Sequence, residues 1–403
     1  MGRPDVIDDA HTDDRDPTFP QLALDASGNA LLVWKGGTVP PAEDWSHQLL
    51  FQRYDVVEDR WSAAEVIDGW SDEPVYGSAS WNALRMDGAG NAFAVWGGRG
   101  VSVSRWSAAA KACEAPVVLD GDRSARAPAL AVDAAGNAVV AWMRGEATWA
   151  ARYEAGAGWE AVVAIDAGSA GDPLLAMDEA GNALASWQSG AGLWVARFEP
   201  GSGWGGALDL ENEGAANGGP RLAVERSGNA FVAWASAGEI WTRRYELDKG
   251  GGDATDVSVG ARRPSEPPAL AVDDAGNAFL VWTVVPAVGE EAIWANVYVA
   301  GGWGEATELE PNALGSLPLL AVHSGQVLAL WSSDQGMAAS RFANGDWSPR
   351  MQLKKAGKPA IADELHLTGL AGGFVAVWTI DESITLPNGF PIDVMSTYAA
   401  HYR

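Results

Sequence analysis

Carboxylates, tryptophans and five histidines are the side chains of this sequence that could do chemistry, and their spacing narrows what that chemistry is. None of His11, His47, His323, His366 and His401 falls at the His-x-x-x-His spacing that aims two imidazoles at one metal ion. Cys113 is alone, which excludes an intrachain disulfide framework and a cysteine-based zinc cluster. The chain has no Gly-x-Ser-x-Gly nucleophile turn and no Gly-x-x-x-x-Gly-Lys phosphate loop. Six acids recur before a Gly-Asn pair: Asp25, Asp87, Asp133, Asp178, Glu225 and Asp273. Calcium is one reading, but an EF-hand-type loop needs further acids at alternate positions and a closing Glu, which are missing. Capping of a tight turn is the better account, and calcium at another acidic loop stays a minor candidate. No catalytic or metal-binding residue is assigned. With 53 Asp+Glu, carboxylate pairs for glycoside hydrolysis are too numerous to single out by spacing.

The elements that position these residues are repeats. Gly-Asn occurs six times, where 13 Asn and 48 Gly in 403 residues would meet by chance about 1.5 times. Each copy sits in one frame: an apolar triplet, an acid, two small or polar residues, Gly-Asn-Ala, an apolar run and a tryptophan. Degenerate copies run from Ala321 and Leu365. The framing tryptophans are Trp34, Trp96, Trp142, Trp187, Trp234, Trp282, Trp331 and Trp378, which define repeats 1 to 8 with a period near 47 residues. No sustained i, i+3, i+4, i+7 apolar pattern appears, so helical solenoids fail. Short apolar segments between turn signals predict four-stranded β-propeller blades. Strand a is the triplet before the acid and strand b runs to the tryptophan. Strand c ends in a basic-aromatic pair such as Arg152-Tyr153, and strand d follows a turn marked by Gly-Trp. Alternation places the Arg and the aromatic on opposite faces, with the Arg expected to meet acids of a neighbouring blade. The last repeat lacks a strand d, and Pro4-Asp5-Val6-Ile7-Asp8 matches Ala64-Glu65-Val66-Ile67-Asp68. The expectation is one all-β domain over 1–403, an eight-bladed propeller of four-stranded antiparallel blades. Its ring is closed by the N-terminal strand 4–8 joining the C-terminal blade, formed with 364–402.

The unit Leu130-Ala131-Val132-Asp133-Ala134-Ala135-Gly136-Asn137-Ala138-Val139-Val140 resembles the a–b hairpin of NHL-type propeller repeats. With Trp142, Trp149 to Tyr153 and Gly158-Trp159 it resembles repeats of exported bacterial propellers. That resemblance implies a binding or scaffolding platform at the cell surface, and carries over no catalytic residue. Ser332-Ser333-Asp334-Gln335-Gly336 matches only the first half of the Asp-box of sialidase-type propellers, since Ala338-Ala339 replaces its Thr-Trp ending.

The tryptophans at repeated positions are read as packing between blades rather than a sugar-stacking array. Function is then expected where the repeat is broken. The long connections are 35–46, 69–81 and 381–391, together with the acidic link 10–16, all on one face of blades 8, 1 and 2. The candidate ligand-binding residues are Trp45, Trp70, Tyr76, Trp81, Asp44, Asp72, Glu73 and Phe390. The leading expectation is a non-catalytic platform binding a protein or glycan there. The alternative is a carbohydrate-active, glycosidase-like enzyme with acids at the central channel mouth. A net charge of −26 argues against nucleic acid and anionic membranes as partners. No apolar run approaches the ~20 residues of a membrane-spanning helix. Met1-Gly2-Arg3-Pro4-Asp5 lacks the apolar stretch of a secretion signal. A monomer, extracellular, periplasmic or surface-bound, with no cofactor, completes the expectation.

Overall fold

The computed structural model describes residues 5–9, 18–25, 27–38, 46–58, 60–71, 82–98, 100–168, 171–190, 192–210, 217–246, 250–258, 263–264, 267–285, 291–313, 318–323, 325–333, 336–352, 362–370, 373–385 and 391–402. Among these residues all regular structure is β and no helix occurs. The strands form seven antiparallel sheets, six of four or five strands and one of eleven. In the eleven-stranded sheet, repeats 6 and 7 are joined by a single pairing of Ala313 with Ser333.

Repeat 3 shows how the sequence makes each unit. Arg126–Val132 is strand a, Ala138–Arg144 strand b and Ala147–Glu154 strand c. The turn between a and b is closed by side chains. Asp133 Oδ1 accepts the Asn137 backbone N–H at 2.8 Å and Oδ2 accepts the Asn137 amide at 2.7 Å. Asn137 Oδ1 in turn accepts the Ala155 N–H at 3.0 Å, tying this turn to the one after strand c. Asp25 and Asp87 make the same set of bonds. The repeated acids therefore cap turns, as their position in the sequence implied. Glu225 differs, because its longer side chain reaches Arg244 at 2.9 Å.

Two readings of the repeat need correction. Gly-Trp is not only a turn: Gly158–Trp159 pairs with Tyr153 and Glu154 as the first piece of the outer strand, which resumes as Val163–Ala167. The basic residues of strand c do not reach for acids of the next blade. Arg105 meets Glu114, Arg152 meets Glu160 and Arg197 meets Glu199, all within their own repeats. What lies across the repeat boundary is an aromatic ring, Phe198 for Arg152 and Tyr298 for Arg244. A salt bridge needs only the adjacent strand of the same sheet, and that partner is nearer.

The core sits between sheets. Phe93, Val95 and Val103 of repeat 2 pack against Leu130, Val140 and Trp142 of repeat 3, and the pattern recurs at later boundaries. The repeated Trp34, Trp96, Trp142, Trp187, Trp234, Trp282 and Trp331 are all buried, so they are packing residues. Strand a of each repeat contacts strand a of the next, which turns these strands inward.

Candidate functional site

The candidate binding residues on blades 8, 1 and 2 are largely beyond reach. Trp45, Tyr76, Trp81, Asp44, Asp72, Glu73 and Phe390 lie outside the described residues. Trp70 is the exception in its backbone. It belongs to the strand Glu65–Ser71 and pairs with His47, so it is not in a loop. The reason is that the b–c hairpin of repeat 1 runs on past Trp34, pairing as far as Thr38 with Ser46, and its edge recruits 69–71. Repeat 8 does likewise: Gly373–Thr385 and Pro391–Tyr402 stay paired up to Thr385 and Pro391. Within the connections expected over 35–46 and 381–391, the described residues 35–38, 46, 381–385 and 391 are paired strand.

A cavity of about 840 Å³ lies where the inner strands of repeats 1 to 5 meet. Its polar lining is Gln21, Arg85, Asp172, Gln188 and Arg221, set against Pro128, Pro173 and Pro220. These prolines stand at one position of the repeat, two residues before its leading leucine (Leu130, Leu175, Leu222). Their fixed φ and missing N–H suit the entry of an inner strand with no partner on its open side. At the same entry the pairing register shifts between Thr18 and Gln21, Arg126 and Ala129, and Asn217 and Arg221. Ala127, with φ of 51°, sits before Pro128 and lines the cavity, an uncommon conformation in that context.

Arg85 is where the inner surface departs most from the repeat. Aligned on the a–b pairing, its position is Ala23, Ala131, Ala176, Ala223, Ala271 and Ala321 in six other repeats, and Thr368 in the last. Arg85 donates from Nη1 to the Leu84 carbonyl at 2.8 Å, and among the described residues no carboxylate pairs with it. It is open to water yet walled in by protein, and that desolvation lowers its pKa from the ordinary arginine value. A guanidinium remains cationic nonetheless. Arg221 donates to the Pro220 carbonyl at 3.1 Å.

One acid, Asp172, lines this cavity together with the two guanidiniums of Arg85 and Arg221. The reading of the sequence passed over Arg85 and Arg221, although a signal was present. Comparison of the repeats column by column isolates an arginine among alanines, whereas attention to loop length does not. Two further clefts are lined by residues of adjacent repeats, about 430 Å³ beside Arg244 and Trp303 and about 840 Å³ between Trp303 and Trp347. Their rings are held edge to face by aromatics of strand c, Trp303 by Tyr298 and Trp347 by Phe342. Among the described residues no group of three or more His, Cys, Asp or Glu is placed to hold a metal. Burial, then the nearby Glu65 carboxylate, pushes the Cys113 thiol up to about 11, which favours the protonated thiol.

No family model matches the chain, and no curated protein does. Among solved structures it is similar to the polysaccharide lyase Uly1, at 10% identity over 93% of this chain and 88% of that one, with a TM-score of 0.50. A prolyl endopeptidase is similar at 10% identity, over 95% of this chain and 54% of the other, also at a TM-score of 0.50. An α-L-arabinanase of Penicillium chrysogenum complexed with arabinobiose gives 12% identity over 69% and 93%, at a TM-score of 0.41. Such distant likeness speaks for the fold alone, and the fold is β-propeller-like.

Proposed function

We propose that this chain is a carbohydrate-directed β-propeller that takes a polysaccharide at its inner cavity and acts on it there. The observation that carries the reading is the cavity itself. Its ~840 Å³ falls in the range of ligand sites, and a few polar groups converge on it from several repeats. A carboxylate beside guanidiniums can move a proton and neutralise developing charge, which glycan cleavage requires. Likeness of fold to a polysaccharide lyase is in keeping with this reading. The ring would have eight blades, its last completed by the first strand. Two observations support that closure. Asp5–Asp9 pairs antiparallel with Pro391–Tyr402, and Thr18–Leu24 contacts the inner strands of repeats 2 and 8. The protein would work as a monomer outside the cytoplasm, without nucleic acid or an inserted membrane segment.

The test is a panel of neutral and acidic polysaccharides, scored for binding by affinity electrophoresis and for cleavage by released reducing ends. We expect at least one to be bound and shortened. If none is bound, the proposal fails. The second reading, a non-catalytic platform on blades 8, 1 and 2, is favoured by the extended hairpins of repeats 8 and 1. A Trp45/Trp70/Trp81 triple alanine variant separates the two, because it abolishes binding only on the second reading.

A further inference from the structure

We infer that the inner cavity selects an acidic polysaccharide, with Arg85 holding the anionic substituent of a sugar ring, a carboxylate or a sulfate ester. The inference rests on the carbohydrate reading above and gives it a substrate class.

The argument begins with the repeat. Alanine serves at this inner-strand position in six of the other seven repeats, so the fold does not need a cation there. Arginine offers five N–H donors, and among the described residues one of them is engaged, Nη1 with the Leu84 carbonyl. Arg85 is exposed to water within this protein-lined cavity, and among the described residues no carboxylate pairs with it. An incoming anion supplies a counter-charge, and its two oxygens match the planar fork of the guanidinium.

Arg221 reaches the same cavity from repeat 5, at the residue after Pro220. That position is Ala129, Leu174 and Ala269 in neighbouring repeats. The described lining thus carries two cations and one acid, in a chain with 27 Lys+Arg against 53 Asp+Glu. The overall charge repels a polyanion at long range, so an anion must be held by a local group of cations. Gln21 and Gln188 add donors and acceptors of the kind that bind sugar hydroxyls.

The experiment measures binding of polygalacturonate, its methyl ester, dextran sulfate and dextran at ~0.15 M salt, where long-range repulsion is screened beyond about 8 Å. Wild type is compared with Arg85→Gln, Arg85→Lys and Arg221→Gln, each checked by circular dichroism and melting temperature. At least one polyanion should bind tenfold or more tightly than its uncharged counterpart. Arg85→Gln should erase that preference, Arg85→Lys should keep part of it, and Arg221→Gln should reduce it. Which polyanion is retained tells carboxylate from sulfate. If charged and uncharged glycans bind alike, or Arg85→Gln leaves the preference intact, the anion site is overturned while the carbohydrate reading stands. If no glycan binds to wild type, both fall.

Discussion

Gly136 shows how two requirements can meet in one residue. Its φ of 87° lies in the left-handed region. A Cβ there would also stand 2.9 Å from Oδ2 of Asp87, the turn acid of the preceding repeat. That oxygen already accepts the Asn91 amide at 2.8 Å, so it cannot retreat freely. Gly145 separates the two effects, since its φ is 61° but a Cβ would meet nothing within 4 Å. We expect Gly145→Ala to cost about 1–2 kcal/mol, the penalty of the left-handed backbone alone. Gly136→Ala should cost a further ~1–3 kcal/mol, as the Asp87 carboxylate loses its bonding geometry. Urea denaturation of the two variants measures the difference, and equal midpoints would refute a contact between successive turns. Gly136 is therefore required by the neighbouring repeat as well as by its own hairpin. One repeat read alone shows only the second reason.

The strand pairs carry a latch from one repeat to the next. Trp142 ends strand b of repeat 3 and donates its indole N–H to Asp120 Oδ2 of repeat 2 at 2.8 Å; Arg144 donates to the same oxygen, also at 2.8 Å. Asp120 is placed by a register shift after Val118 in its outer strand. Trp96 repeats the arrangement on Asp68 at 3.1 Å, and Trp331 on Glu310 at 3.4 Å. Removing Asp120 strands both donors, so Asp120→Ala should destabilise by about 3 kcal/mol. Glu160→Ala removes the half-exposed partner of Arg152 and should cost less than about 1 kcal/mol. Thermal melts of the pair decide it, and similar shifts would dissolve the latch. The sequence made the strands, the turn acids and the buried tryptophans legible, because hairpin chemistry and period-2 alternation are local. It hid the latch, since a bulge is decided by the partner strand and the bond crosses a repeat boundary. The same locality explains the Arg of strand c, whose face alternation could define but whose acid it could not. The cavity was hidden for a further reason: Arg85 and Arg221 are strand residues, and variation in loop length does not register them.

At the scale of the molecule the question is whether the first strand closes the repeats into the proposed ring. Among the described residues, apolar layers between sheets join repeats 1 to 7 in succession, and the two ends of the chain meet by strand pairing. There the pairing runs from Asp5 with Ala399 to Asp9 with Ser396. Its register shift after Val6 mirrors the one after Val66 on Leu50 in repeat 1, which marks Asp5–Asp9 as an outer strand detached from its own blade in sequence. Deleting residues 1–9 would uncover the edge of Pro391–Tyr402 and invite pairing between copies. The truncated chain should melt roughly 5 °C or more below the full one and aggregate with rising concentration. A synthetic peptide of residues 1–9 added in excess should recover part of the loss by mass action. A truncated chain that melts unchanged and stays monomeric would mean that the ring is not closed by this strand. The cavity links that outcome to function, since Gln21 lies on the first inner strand and Arg85 on the second. A ring that opens between repeats 8 and 1 would loosen the wall beside Arg85, so truncation should weaken acidic-glycan binding along with stability. If binding survives while stability falls, repeats 2 to 5 hold the site without the closure.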